Sequence, residues 1–231
     1  MNHQINLEEI DVDGAIGEAS EAVSGDTRLA FLKKSGLAGG ALLSGGAVLS
    51  AFAPGAFASG GGGRPPASFG KGDVGILNYA LTLEYLEAAF YNGASAANLP
   101  LTEQGKAFLK VVTADENAHV AFLKKHLGHA AAKEPKFDFK GANASASTFM
   151  ATAQVLENTG VHAYSGQALN IKTPAYVKAA VSILTVEARH ASVIGLLNEP
   201  SGAGIAPNGP FDTPYTASKV LAAVKSTGFI V

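Results

Sequence analysis

Apolar and polar positions fall into long helical patterns only from Asp73 onward. Asp73 to Asn92 contains no proline and is apolar on nearly every side, at Val74, Ile76, Leu77, Tyr79, Leu81, Leu83, Leu86 and Phe90. A helix that is apolar all round is a buried one. A second helix is predicted from Thr102, an N-cap after Pro100, to Gly128, with Phe108, Leu109, Val112, Val120, Phe122 and Leu123 on it. A third runs from about Ser147 to Leu169 through Phe149, Met150, Val155, Leu156, Val161 and Tyr164. The fourth opens at Thr173-Pro174, a cap residue followed by proline at the first helical position. It continues through Val181, Ile183, Leu184, Val186, Val193 and Ile194 to about Asn198, just before Pro200. A short fifth helix is predicted from Thr216 to Lys225, closed by Gly228. The links between helices 1 and 2 and between helices 3 and 4 are short, which suits antiparallel neighbours. Gly128 to Ala146 is long enough to travel the length of a bundle. The pattern predicts an all-α fold: a four-helix bundle with one long crossover between helices 2 and 3, plus a short C-terminal helix.

The chain before Asp73 has a different character. Residues 1–26 hold seven acidic residues and no Lys or Arg. Then come Thr27-Arg28-Leu29-Ala30-Phe31-Leu32-Lys33-Lys34, a Gly- and Ala-rich apolar run from Gly36 to about Ala53, and Ala56-Phe57-Ala58, a small-x-small cleavage pattern. This is the order of an export signal. The Thr27 stretch resembles a twin-arginine signal with Leu29 where the second arginine belongs. Cleavage after Ala58 leaves no stable membrane span; an uncut run would be long enough to anchor. The expected organisation is an export signal at 1–58, a Gly/Pro-rich flexible linker at 59–71, the bundle at 72–200 and a tail at 201–231. The tail carries Phe211, Tyr215, Val220, Leu221, Val224, Phe229 and Ile230. It is expected to dock on helices 1 and 3, away from any site.

Composition narrows the chemistry. Of 231 residues 47% are hydrophobic and 16% charged, and the net charge is −2. That balance gives no footprint for nucleic acid. There is no cysteine, so a metal would be held by histidine and carboxylate, a set that suits Fe, Mn or Zn.

Two Glu-x-x-His motifs stand on helices 2 and 4: Glu116 with His119, and Glu187 with His190. Residues three apart on a helix share a face. Helices 1 and 3 each carry a glutamate with a tyrosine two turns on: Glu84 with Tyr91, and Glu157 with Tyr164. Both members of that second pair lie 73 residues after the first, and both Glu-x-x-His residues recur after 71. The chain is thus a tandem repeat of a helical hairpin, and its ligands converge at mid-height. Four lone carboxylates in one core would cost several kcal/mol each or take up protons. Two divalent cations would balance them. Glu87, one turn from Glu84, is an alternative ligand; the repeat has Gly160 at the matching place, which favours Glu84. His162 is about 140° round from Glu157 and points elsewhere. His126 and His129 read as solvated. Asp115 and Arg189 flank the motifs, and each could orient a ligand or pair on the surface.

Residues 72–200 resemble the ferritin-like superfamily, whose bundles carry this crossover, and look most like the exported, desiccation-related branch. The resemblance implies that Glu116 and Glu187 bridge two metals, that His119 and His190 bind one each, and that Glu84 and Glu157 cap the outer sides. Tyr91 and Tyr164 would hydrogen-bond to carboxylates. The implied cofactors are two Fe, two Mn or a mixed pair, with O2 or H2O2 as substrate: Fe(II) oxidation or peroxide removal in stress protection. A non-catalytic envelope protein with a structural metal site, or a metal store, are the alternatives. A homo-oligomer is compatible with the sequence, which does not set its order.

Overall fold

The structure is a computed structural model that describes residues 63–231; the expected export signal lies outside the described residues. Four long helices follow the predicted order: α1 (Gly72–Ala97), α2 (Glu103–Leu127), α3 (Ala146–Ala168) and α4 (Pro174–Asn198). A short α5 (Ala217–Thr227) follows. Helices α1 and α2 form one hairpin, α3 and α4 the other, and 128–145 crosses between them.

Local chemistry sets most helix ends. Thr102 caps α2 by accepting from the Gly105 amide at 3.1 Å. Ser145 opens α3 with a reciprocal capping box to Thr148. Thr173 does not cap α4 through its side chain. Instead Asp73, in the first turn of α1, accepts the Lys172 and Thr173 amides at 3.0 and 2.8 Å. These amides precede the helix's own first N–H groups, so Asp73 anchors the entry to α4 from the other hairpin without capping it. Helix α1 runs five residues beyond the predicted Asn92, and Asn98 ends it in the left-handed conformation.

The core is two apolar clusters with a polar layer between them. One gathers Leu86, Phe90, Tyr91, Val112, Phe149 and Ile194 with Val220 and Val224 of α5. The other gathers Leu77, Leu81, Tyr85, Leu123 and Ile183. Between them the fully buried side chains include Glu84, Glu116, Glu157 and Glu187.

The expected flexible linker differs from what is seen over 63–71. The Gly63 carbonyl accepts from the Ala217 amide at 2.9 Å and from Gln167 Nε2 at 2.6 Å. Arg64 donates to the Asn170 carbonyl, and a 3-10 turn at Ala67–Phe69 lays Phe69 against Tyr79. Buried Asn78 holds this strap: its Nδ2 donates to the carbonyls of Phe69 and Ala130, and its Oδ1 accepts the Ala132 amide. Composition read as a spacer is here bound by side chains that the bundle supplies.

Helix α5 lies on α1 and α3, as its apolar stripe predicts. Val220 is fully buried and Val224 nearly so. The chain end also joins the crossover: Phe137 and Ile230 form an antiparallel bridge, and Phe229 packs edge-on against Phe139. The tail is not remote from the polar layer, however. A small cavity beneath α5 is lined by Val224, Thr227, Thr159, Gly160 and Glu87.

Candidate metal centre

Each helix delivers its ligand from the turn that faces the bundle axis. Two groups of donor atoms result. Glu84, Glu116, His119 and Glu187 offer atoms all within 4.8 Å of one another, and so do Glu116, Glu157, Glu187 and His190. All six residues singled out in the sequence are brought together, and Glu116 and Glu187 belong to both groups. That sharing would let two cations lie side by side with Glu116 and Glu187 common to both.

Hydrogen bonding alone does not account for the arrangement. His190 Nδ1 lies 3.1 Å from Glu116 Oε1 and 3.3 Å from Glu157 Oε2. None of those three atoms has an aligned hydrogen-bond partner, nor does either oxygen of Glu187. Buried polar atoms are ordinarily satisfied. Five buried atoms that converge unsatisfied are what ligands facing a shared point look like. The residues present therefore fit divalent cations held by carboxylate oxygen and imidazole.

Without cations, protons must neutralise the layer. Burial raises the Glu84 carboxyl, helped by the Glu116 charge, to about 8. Burial and neighbouring carboxylates push Glu87 and Glu187 well above the ordinary range, and burial raises Glu157 against the pull of His190. Glu116 is the exception: burial opposes its charge, but His119 and His190 beside it hold it down to about 2. Burial works against the imidazolium of His190, yet Glu116 and Glu157 lift it to about 11; His119 rises for the same reason beside Glu116, Glu187 and Glu84.

The tyrosines cross between the halves. Tyr91 of α1 donates to Glu157 of α3, and Tyr164 of α3 donates to Glu84 of α1. Spacing placed each tyrosine on a stripe with the glutamate of its own helix, yet each bonds the other hairpin's glutamate. Glu87 is 3% exposed and belongs to neither donor group. It sits beside Gly160, where a Cβ would lie 3.4 Å from Glu87 Oε1 and 2.5 Å from Glu187 Oε2.

Other histidines stand apart. His162 Nδ1 donates to the Thr213 carbonyl, 2.7 Å away, and the ring stacks on Tyr215; it holds the tail. His126 is exposed against the Phe122 carbonyl. Arg189 bonds the Thr185 carbonyl of its own helix. Asp115, read in the sequence as an acid that could orient a ligand or pair on the surface, accepts from His190 Nε2 at 3.0 Å. It also lines an apolar groove of about 640 Å³ between α2 and α4, with Phe108, Val111, Val193 and His190.

A helical bundle with two Glu-x-x-His helices, two further glutamates and one central crossover is the pattern in which ferritin-like bundles can hold metal. The chain belongs to the family described as the ferritin-like domain, which matches residues 72–199. No curated protein matches the chain.

Proposed function

We propose that this protein binds two iron or manganese ions, or one of each, and uses them for redox chemistry with O2 or H2O2. The observation that carries the reading is the set of five buried ligand atoms without an aligned hydrogen-bond partner, on residues of two donor groups that have Glu116 and Glu187 in common. When bound, such ions supply one-electron steps that the side chains cannot. Glu116 and Glu187 serve both positions, and Glu84 and Glu157 each serve one. The Tyr91 and Tyr164 hydroxyls orient the outer carboxylates. Burial among apolar side chains keeps bulk water from the site, and the groove between α2 and α4 gives a small apolar molecule a way to His190.

The N-terminal pattern supports export, with cleavage after Ala58; a protective role against oxidative or desiccation stress rests on the resemblance to the exported, desiccation-related branch. Mass spectrometry of the exported form would find Ser59 at its N-terminus; an intact start at Met1 would contradict cleavage. The functional test is elemental analysis of the purified chain together with O2 and H2O2 consumption. Two Fe or Mn per chain with turnover supports the reading. Two ions without turnover would leave a structural site, and none would refute the centre itself.

A further inference from the structure

The tandem repeat makes the two cation positions equivalent in their first layer. Each has one private glutamate, one histidine and two shared glutamates, and each private glutamate accepts from a tyrosine of the other hairpin. Behind the histidines the equivalence ends. His190 presents Nδ1 to Glu116 and Glu157, and its Nε2 lies 3.0 Å from Asp115 Oδ2. His119 presents Nδ1 to Glu84, Glu116 and Glu187 at 3.1 to 3.3 Å. Among the described residues its Nε2 has no protein partner. Its side chain is also the more open of the two, 12% exposed against 7% for His190.

The repeat explains the difference. Asp115 precedes Glu116, and 71 residues later the residue preceding Glu187 is Val186. The side chain that would reach the second histidine has no acceptor. A carboxylate behind a ligating imidazole fixes the tautomer, holds the ring in plane with its ion and makes the other nitrogen a better donor. With its Nε2 proton committed to Asp115, His190 has Nδ1 free to ligate. His119 has no such commitment: its ring is held only through Nδ1, by Glu84 and Glu116, and it loses that hold when those carboxylates turn to an ion.

We infer that the two cation positions are unequal, that the Glu157/His190 position fills first and holds its ion more tightly, and that Asp115 is the positioning residue that makes it so. The inference rests on the two-ion reading above. The Glu84/His119 position is then the exchangeable one.

The test uses the full chain, stripped by chelator and titrated with Mn(II) alone, with free Mn(II) read by electron paramagnetic resonance. The expected isotherm has two steps at least about 10-fold apart, in line with the weight of a partner behind a ligand. Asp115→Asn should weaken the first step by about 10- to 100-fold, leave the second nearly unchanged and keep the total at two. His119→Ala should keep the tight step, and His190→Ala should abolish it. Circular dichroism of each stripped variant checks that the bundle is intact. The inference is overturned if wild-type steps coincide, if Asp115→Asn weakens both steps equally, or if the tight step survives His190→Ala. A wild-type chain that binds no Mn(II) overturns the two-ion reading, and this inference with it; that outcome is distinct from two ions bound alike.

Discussion

Gly160→Ala is the smallest change that tests whether the carboxylate layer is a metal site. Gly160 is buried on α3, and a Cβ built there would sit 2.5 Å from Glu187 Oε2 and 3.3 Å from Glu187 Cδ. Ordinary contact begins near 3.4 Å, so the Glu187 carboxylate must retreat by about 0.9 Å. Ligand constellations tolerate displacements of about 0.5 Å. Glu187 belongs to both donor groups, so both ions should weaken, each by at least about 10-fold if the loss matches that seen on disturbing a ligand's support. The fold should not suffer to match. Alanine is favoured over glycine inside a helix by roughly 1 kcal/mol, which offsets the local crowding. The stripped variant should therefore melt within a few degrees of the wild type, since about 1 kcal/mol shifts a domain of this size by about 2–4 °C. Melting with and without chelator, beside metal content by mass spectrometry, separates the two effects. A Gly160→Ala chain that holds two ions with wild-type affinity would refute the reasoning.

Four further outcomes are expected. Tyr91→Phe and Tyr164→Phe each remove a buried donor to a glutamate and should each cost about 1–3 kcal/mol of stability in the stripped protein, read by denaturant unfolding. Metal binding near pH 7 should release protons, because Glu84 sits near 8 and His190 near 11. For the same reason the stripped protein should lose stability as pH rises: the Glu84 contribution is complete below 4.5 and gone above about 8, and that of His190 declines from 6.5 upward. Unfolding at pH 5.5 and 8, with and without metal, checks the sign. Truncation after Gly209 should lower the melting temperature and, because Phe229 and Ile230 hold the crossover, speed hydrogen exchange at the Asp138 amide; unchanged exchange there would show that the crossover stands alone.

The helices and the convergence of the six Glu and His side chains were legible because both obey short-range rules. Periodicity marks a buried helix, three residues mark one face, and two equal offsets mark a repeat. What could not be read depends on which side chain reaches across. Val155, one of the apolar positions that mark the third helix, is 58% exposed, while its neighbour Leu156 is buried. Adjacent helix positions point about 100° apart, so a neighbour in sequence says little about burial. The contact of Asp115 with His190 spans two hairpins, and nothing local distinguishes this acid from a solvated one. The strap at 63–71 was hidden for the same reason: its partners Asn78, Gln167 and Asn170 come from the bundle. Glu87 was visible as a candidate, but its place outside both donor groups depends on the bundle's width.

Glycine at 160 has a consequence for how such a chain could arise. The hairpin carrying Glu84, Glu116 and His119 is half a site, and two identical copies of it would complete one. In such a symmetric pair any residue opposite the shared glutamates would appear twice. A glutamate at the Glu87 place would then also stand at 160, where even a Cβ meets Glu187 Oε2 at 2.5 Å. Only after two copies are joined in one chain can one keep the acid and the other give way to glycine, or one keep Asp115 and the other hold Val186. Fusion in this sense frees the two faces of a single centre to specialise while the ligands themselves stay paired.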